Sequence, residues 1–148
     1  MEDSNRKNPV PRVLALDLGK KRIGLAVSDE LGITAQGLDT LERANIRADL
    51  ALLAGIVSEK GVSLILMGKP LHMSGQESRQ VQYTREFAER LARVTGVPVE
   101  FRDERLTTVQ AERVLREGGI RLREDRARSV DRLSAVLLLQ DYLDSRRI

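Results

Sequence analysis

Val13-Leu14-Ala15-Leu16-Asp17-Leu18-Gly19-Lys20-Lys21-Arg22-Ile23-Gly24-Leu25-Ala26-Val27-Ser28 contains two runs of strand length, Val13 to Leu18 and Arg22 to Ser28, joined by Gly19, Lys20 and Lys21. Apolar runs separated by a short glycine-containing turn read as a β-hairpin, so the first two strands are expected to be antiparallel. Asp17 interrupts the first run. An ionised carboxylate inside a strand apolar enough to be central is costly unless it is paired or binds a cation. One account bonds Asp17 to turn amides near Gly19 or to Arg22, and the other makes it a cation ligand.

Outward from the hairpin, a weaker third strand is expected around Thr34 to Leu41, marked by Gly32 and Gly37. A helix follows near Ile46 to Lys60, with apolar positions Ile46, Leu50, Leu53 and Val57 and with Gly61 as its stop. Ser63 to Met67 is the fourth strand. An irregular segment from Gly68 to Gln76 leads into a long amphipathic helix that ends near Thr95 and Gly96, and Val99 to Phe101 is the fifth strand. Thr107 and Gln110 have the spacing of a capping box, which predicts a helix from about Thr108 to Glu117. The last helix is expected from about Arg126 to Asp144. Three antiparallel strands, then two strands each preceded by a helix, imply an α/β fold with a five-stranded mixed sheet and helices on both faces. At 148 residues the chain has room for one core, so residues 12–148 are expected to form one domain behind a flexible tail at 1–11.

Composition narrows the chemistry. The chain has no cysteine and a single histidine, His72, which excludes a thiolate nucleophile, cysteine-ligated zinc and any multi-histidine site. A metal, if bound, must be held by oxygen. No stretch reaches the roughly 18 to 20 apolar residues of a membrane span, and Met1 to Asn8 lacks the apolar centre of a signal peptide, so a cytoplasmic location is expected. The net charge is +3, yet arginine supplies 20 of the 25 basic residues. These cluster at Lys20-Lys21-Arg22, at Arg121, Arg123, Arg126, Arg128 and Arg132, and at Arg146-Arg147. Clustered guanidinium groups suit phosphate oxygens and a polyanionic partner. They also suit solvated helix faces laced with i,i+4 pairs such as Glu86 with Arg90.

Two further acids break the apolar pattern. Asp103 and Glu104 stand at the end of the fifth strand, where α/β sheets place their ligands. Asp103 can equally be a turn former there, and Thr107 an N-cap. Asp131 opens a helix whose following residues are apolar on nearly every face. An acid in a first turn favours the helix dipole by about 0.3 to 1 kcal/mol, with no further role required. Ser134 and Ala135, one turn on, are small enough to let the helix approach the sheet and carry Asp131 towards Asp17.

From about Arg12 to Leu143 the chain resembles the YqgF/RuvX family of small bacterial proteins, related to Holliday-junction resolvases and proposed to mature the 5′ end of the small ribosomal RNA. The resemblance rests on Leu16 to Asp29, on Gly68-Lys69-Pro70-Leu71-His72-Met73-Ser74-Gly75, on Asp103 to Thr108, and on Asp131 with Ala135 and Leu138 to Leu143. Lys69 and Ser74 depart from the family pattern, which has Leu and Asp at those places.

The resemblance implies a ribonuclease H-like sheet with Asp17 on its central first strand, an acid from the Asp103-Glu104 pair, and Asp131 on the last helix. Such hard oxygen ligands suit Mg²⁺ or Mn²⁺ and a two-metal hydrolysis of phosphodiester bonds. Glu104 is favoured over Asp103 for its longer side chain. Lys20, Lys21, Arg22, Lys69, His72, Arg105, Arg126 and Arg128 are the candidates for contact with nucleic acid, and His72 can as well simply pack or lie exposed. Asp29 is expected to hold the exit turn of the second strand. Tyr83, Phe87, Phe101 and Tyr142 read as core or interface residues, too scattered for a base-stacking platform. The substrate is expected to be a four-way DNA junction or a precursor rRNA, and the protein a monomer or homodimer. The alternatives are a non-catalytic nucleic-acid or ribosome-assembly factor on the same fold and, more remotely, one lobe of an actin-like ATPase.

Overall fold

The computed structural model describes residues 11–69, 79–103 and 123–146, with side chains in the last segment from residue 130. The order of elements is β1 (Arg12–Leu18), β2 (Arg22–Ser28), β3 (Ala35–Gly37), β4 (Leu41–Glu42), α1 (Ile46–Lys60), β5 (Val62–Lys69), α2 (Arg79–Thr95), β6 (Val99–Asp103) and α3 (Arg123–Arg146). The expected tail up to residue 10 and the helix expected near residues 108–117 lie outside the described residues.

β1 and β2 form the antiparallel hairpin read from the sequence, and the Gly19 amide closes its turn on the Arg22 carbonyl at 2.9 Å. β5 then pairs with β1 in parallel, and β6 pairs with β5 in parallel, each after a helix. The sheet order is β3-β2-β1-β5-β6, which makes β1 central, and β4 also pairs with β2. Among the described residues the sheet therefore has six strands where five were expected. The single strand expected over 34–41 is two short ones, both antiparallel to β2. The ladder breaks near Leu38, whose carbonyl accepts from Arg132 Nε at 2.9 Å.

The caps of α1 follow local chemistry. Asn45 has extended backbone (φ −145°, ψ 164°) and its side chain accepts from the Ala48 amide, while Gly61 ends the helix at φ 65°. Leu50, Leu53 and Val57 are buried against the sheet.

Strand alternation divides the core in two. Leu14 and Leu16 of β1, with Ile23, Leu25, Ile65 and Met67, pack against Leu53 of α1 and Phe87 and Leu91 of α2. Val13 and Ala15 of β1, with Ala26 and Leu66, pack against Ala135, Leu138 and Leu139 of α3. The second face is floored by smaller side chains, so α3 lies close to it. Asp17 shares the parity of Val13 and Ala15, which places it on the α3 side.

Candidate active site

Asp17 is the penultimate residue of β1, at the carboxyl end of the parallel part of the sheet, and lies opposite Gly24 of β2. Gly24 is where α3 touches the sheet. A Cβ built there would lie 2.0 Å from the Asp131 carbonyl oxygen and 2.4 Å from its carbon, a distance no side chain can occupy. At Gly37 of β3 the neighbour is a flexible side chain, the Cβ position lying 2.8 Å from Arg132 Cδ. Glycine at position 24 thus marks a close approach of two backbones, and Gly37 leaves room for the Arg132 side chain. These two positions seat the N-terminal part of α3, and Ser134 and Ala135, buried one turn later, continue the fit.

This seating brings Asp131 beside Asp17. Burial, then the negative charge of Asp17, push the Asp131 carboxyl up to about 6, with a smaller push from Glu42. Arg22 opposes the rise: its Nε donates to Asp131 Oδ2 at 3.4 Å. A single guanidinium at that distance lowers the Asp131 carboxyl by less than burial and Asp17 raise it. Ser134 Oγ, on the same face of α3, is buried with no hydrogen-bond partner. Two oxygen acids in mutual repulsion beside a buried, unsatisfied hydroxyl form a donor set that fits a hard divalent cation. Among the described residues no group of three His, Cys, Asp or Glu side chains converges, and the acid expected at Glu104 lies outside them.

The remaining candidates divide by position. Asp103 ends β6 with the parity of Phe101, which packs with the α1/α2 core. It is therefore on the side of the sheet away from Asp17. Arg102, one residue earlier, is on the α3 side, where it donates to Asp141 Oδ2 at 2.9 Å. Lys20 and Lys21 are exposed in the hairpin turn, and Lys69 is exposed at the end of β5. Arg22 is partly buried by its pairing with Asp131. His72 and Arg105 lie outside the described residues, and Arg126 and Arg128 lie on α3 before its described side chains. Asp29 holds the β2 exit turn, accepting from the Ile33 amide at 2.7 Å and the Thr34 amide at 3.2 Å. The Ile33 amide bond, above all, holds its carboxyl below the ordinary value.

Sequence reading passed over Arg43 and Asp49. Arg43 follows β4 and donates from Nε to Asp49 Oδ2 at 3.0 Å, from NH1 to the Gly19 carbonyl at 3.0 Å, and from NH2 to the Tyr83 hydroxyl. It thereby ties the hairpin turn to both helices of the opposite face. Asp49 is six residues away, but no spacing in the sequence announces the other two partners, which stand 24 and 40 residues away.

A family model described as "RuvX: Holliday junction resolvase" matches residues 11–145. The chain belongs to the RuvX family. A relative from Koribacter versatilis, named "Putative pre-16S rRNA nuclease", is 51% identical over 137 residues, covering 93% of this chain and 89% of the relative. One of the same name from Myxococcus xanthus is 46% identical, covering 92% and 89%. Among solved structures, T. thermophilus RuvC with a Holliday junction aligns with a TM-score of 0.58 at 16% identity, covering 93% of this chain and 96% of that one. The fowlpox virus resolvase with its junction aligns at 0.55 and 13%, covering 90% and 97%. These likenesses establish the resolvase-type ribonuclease H-like fold. Nuclease function goes with RuvX membership, and in this RuvX chain Asp17 and Asp131 come together at the carboxyl end of β1.

Proposed function

We propose that this protein is a metal-dependent endonuclease whose site is Asp17, Asp131 and Glu104, acting on precursor 16S rRNA. The observation that carries the reading is the Asp17–Asp131 pair, pressed together by the Gly24 contact with an Asp131 carboxyl raised to about 6. Strand phase argues against Asp103 as the third acid: Arg102 is on the α3 side and Asp103 has the other parity, which leaves Glu104, favoured on sequence for its longer side chain, as the candidate. Bound Mg²⁺ or Mn²⁺ would activate the attacking water and neutralise charge on the leaving oxygen. The protein's own part is to hold Asp17 and Asp131 close, with Arg22 fixing the orientation of Asp131. Lys20, Lys21 and Lys69, exposed around the same sheet end, would take phosphates flanking the cut.

Precursor rRNA is preferred to a DNA junction because relatives at 46% and 51% identity carry the rRNA name, while the junction complexes share only the fold. No helix among the described residues is long and apolar enough to cross a membrane, and a cytoplasmic location accords with that substrate. The test is incubation of purified protein with labelled precursor rRNA and a labelled four-way junction, in Mg²⁺, Mn²⁺ or EDTA. Metal-dependent cleavage of the rRNA that disappears in Asp17→Asn is expected. Cleavage of the junction alone, by a dimer in solution, would replace the substrate proposed. Tight binding without cleavage would make the protein an assembly factor.

A further inference from the structure

On the other side of the same sheet end, a cleft of about 640 Å³ opens between the β1–β2 turn and the start of α2. Its walls include Leu18, Gly19, Lys20, Arg43, Arg79 and Tyr83. Leu18 is the chain neighbour of Asp17 and packs towards the opposite core, so cleft and carboxylates are back to back across one strand. Tyr83 is 38% exposed. Its hydroxyl is held by Arg43, whose guanidinium carbon lies 5.5 Å from the centroids of both the Tyr83 and Phe87 rings. Arg43 is itself held by Asp49 and the Gly19 carbonyl, so the aromatic wall is fixed to the turn. Lys20 and Arg79 stand exposed at the rim, and among the described residues no acid pairs with either.

A rigid aromatic face beside two exposed cations that no acid among the described residues pairs is the chemistry of a nucleotide: the base stacks and the phosphates meet the charges. We propose that this cleft binds an unpaired nucleotide adjoining the cut, so that the substrate class is a strand with a single-stranded flank. A base must be unstacked and unpaired to lay its face on Tyr83, because in a duplex its faces are covered by the neighbouring bases. A single strand passing over Gly19 reaches the cleft on one side and the carboxylates on the other. The position relative to the cut rests on the nuclease reading, but the binding itself does not.

The experiment measures fluorescence anisotropy of labelled ten-nucleotide single strands, as RNA and as DNA, and of a blunt duplex, against Asp17→Asn protein in EDTA. Tyr83→Leu in that background should weaken single-strand binding about 10-fold, and Tyr83→Phe should retain it, because the ring stays. Arg79→Ala should weaken it several-fold, with an unchanged melting temperature since Arg79 is exposed at the first position of α2. Blunt-duplex binding should not change in any variant. Loss with RNA alone identifies the strand as RNA, loss with DNA alone as DNA, and either upholds the cleft. Single-strand binding by Arg79→Ala and Tyr83→Leu at the parent level, or an equal loss on the duplex, would overturn it. Absence of cleavage by the parent enzyme in Mg²⁺, with these binding losses intact, would sink the nuclease reading and leave the cleft standing.

Discussion

An arginine–aspartate pair lies on each face of the sheet, and the two are built for different ends. On the α1/α2 face, Arg43 and Asp49 meet at 3.0 Å with side chains 11% and 3% exposed. The second oxygen of Asp49 accepts the Ala44 amide at 3.0 Å, and all three terminal groups of the guanidinium are engaged. On the α3 face, Arg22 and Asp131 meet at 3.4 Å, more exposed, with a second acid crowding the carboxylate. A satisfied pair holds a fold together. An unsatisfied one holds binding capacity in reserve, because a carboxylate left under repulsion gains most from a cation.

The largest effect expected from breaking this contrast is catalytic. Asp17→Asn should lower cleavage roughly 1000-fold, in keeping with the several kcal/mol that metal ions contribute to phosphoryl chemistry. Kinetics on labelled precursor rRNA measures this, and activity within a few-fold of the parent protein would remove Asp17 from the site. Asp49→Asn should do the reverse, sparing the carboxylate site while removing one partner of a buried pair. Such a loss costs about 3 to 5 kcal/mol, and urea unfolding reads it. A change of less than about 1 kcal/mol would mean that Arg43 finds another acceptor.

Gly24→Ala tests the contact that joins the two carboxylates. Its added methyl meets backbone, which cannot rotate away, so a loss of about 1 to 3 kcal/mol is expected together with reduced activity. Normal stability and activity would show that α3 does not lean on Gly24.

The smallest effect is on pH dependence. The folded state raises Asp131 from 3.8 to about 6, so it takes up its proton before the unfolded chain does. The resulting stabilisation is complete below 3.8 and is lost as pH rises through 6. In EDTA, the melting-temperature advantage of Asp131→Asn over the parent should therefore be greatest above pH 6 and shrink below it. Saturating Mg²⁺ at pH 8 should raise the parent's melting temperature and leave that of Asp131→Asn nearly unmoved. A gap between the two proteins that does not vary with pH would contradict the crowding of Asp17 and Asp131.

Much of this was legible in local pattern. The Gly19 turn, the run around Asp17, the apolar stripe of α1 and its stop at Gly61 are each written within a few residues, and each formed as read. The break near Leu38 was not legible, because it depends on Arg132, 94 residues away. Tyr83 read as an ordinary core or interface aromatic, since nothing in its helix signals that Arg43 will fix its ring beside a turn 64 residues earlier.

By itself, then, the sequence determined the fold class, ruled out cysteine and multi-histidine ligands, and marked which acids stand in otherwise apolar runs. Hydrophobic periodicity and the absence of cysteine act locally or by composition, so one dimension suffices for them. Only the tertiary structure decided that Asp131 meets Asp17, that Asp103 has the wrong strand phase, and that Arg43 serves the opposite face. Those outcomes depend on which face of the sheet a helix covers and how closely two backbones approach, and proximity across more than a hundred residues is a property of packing alone.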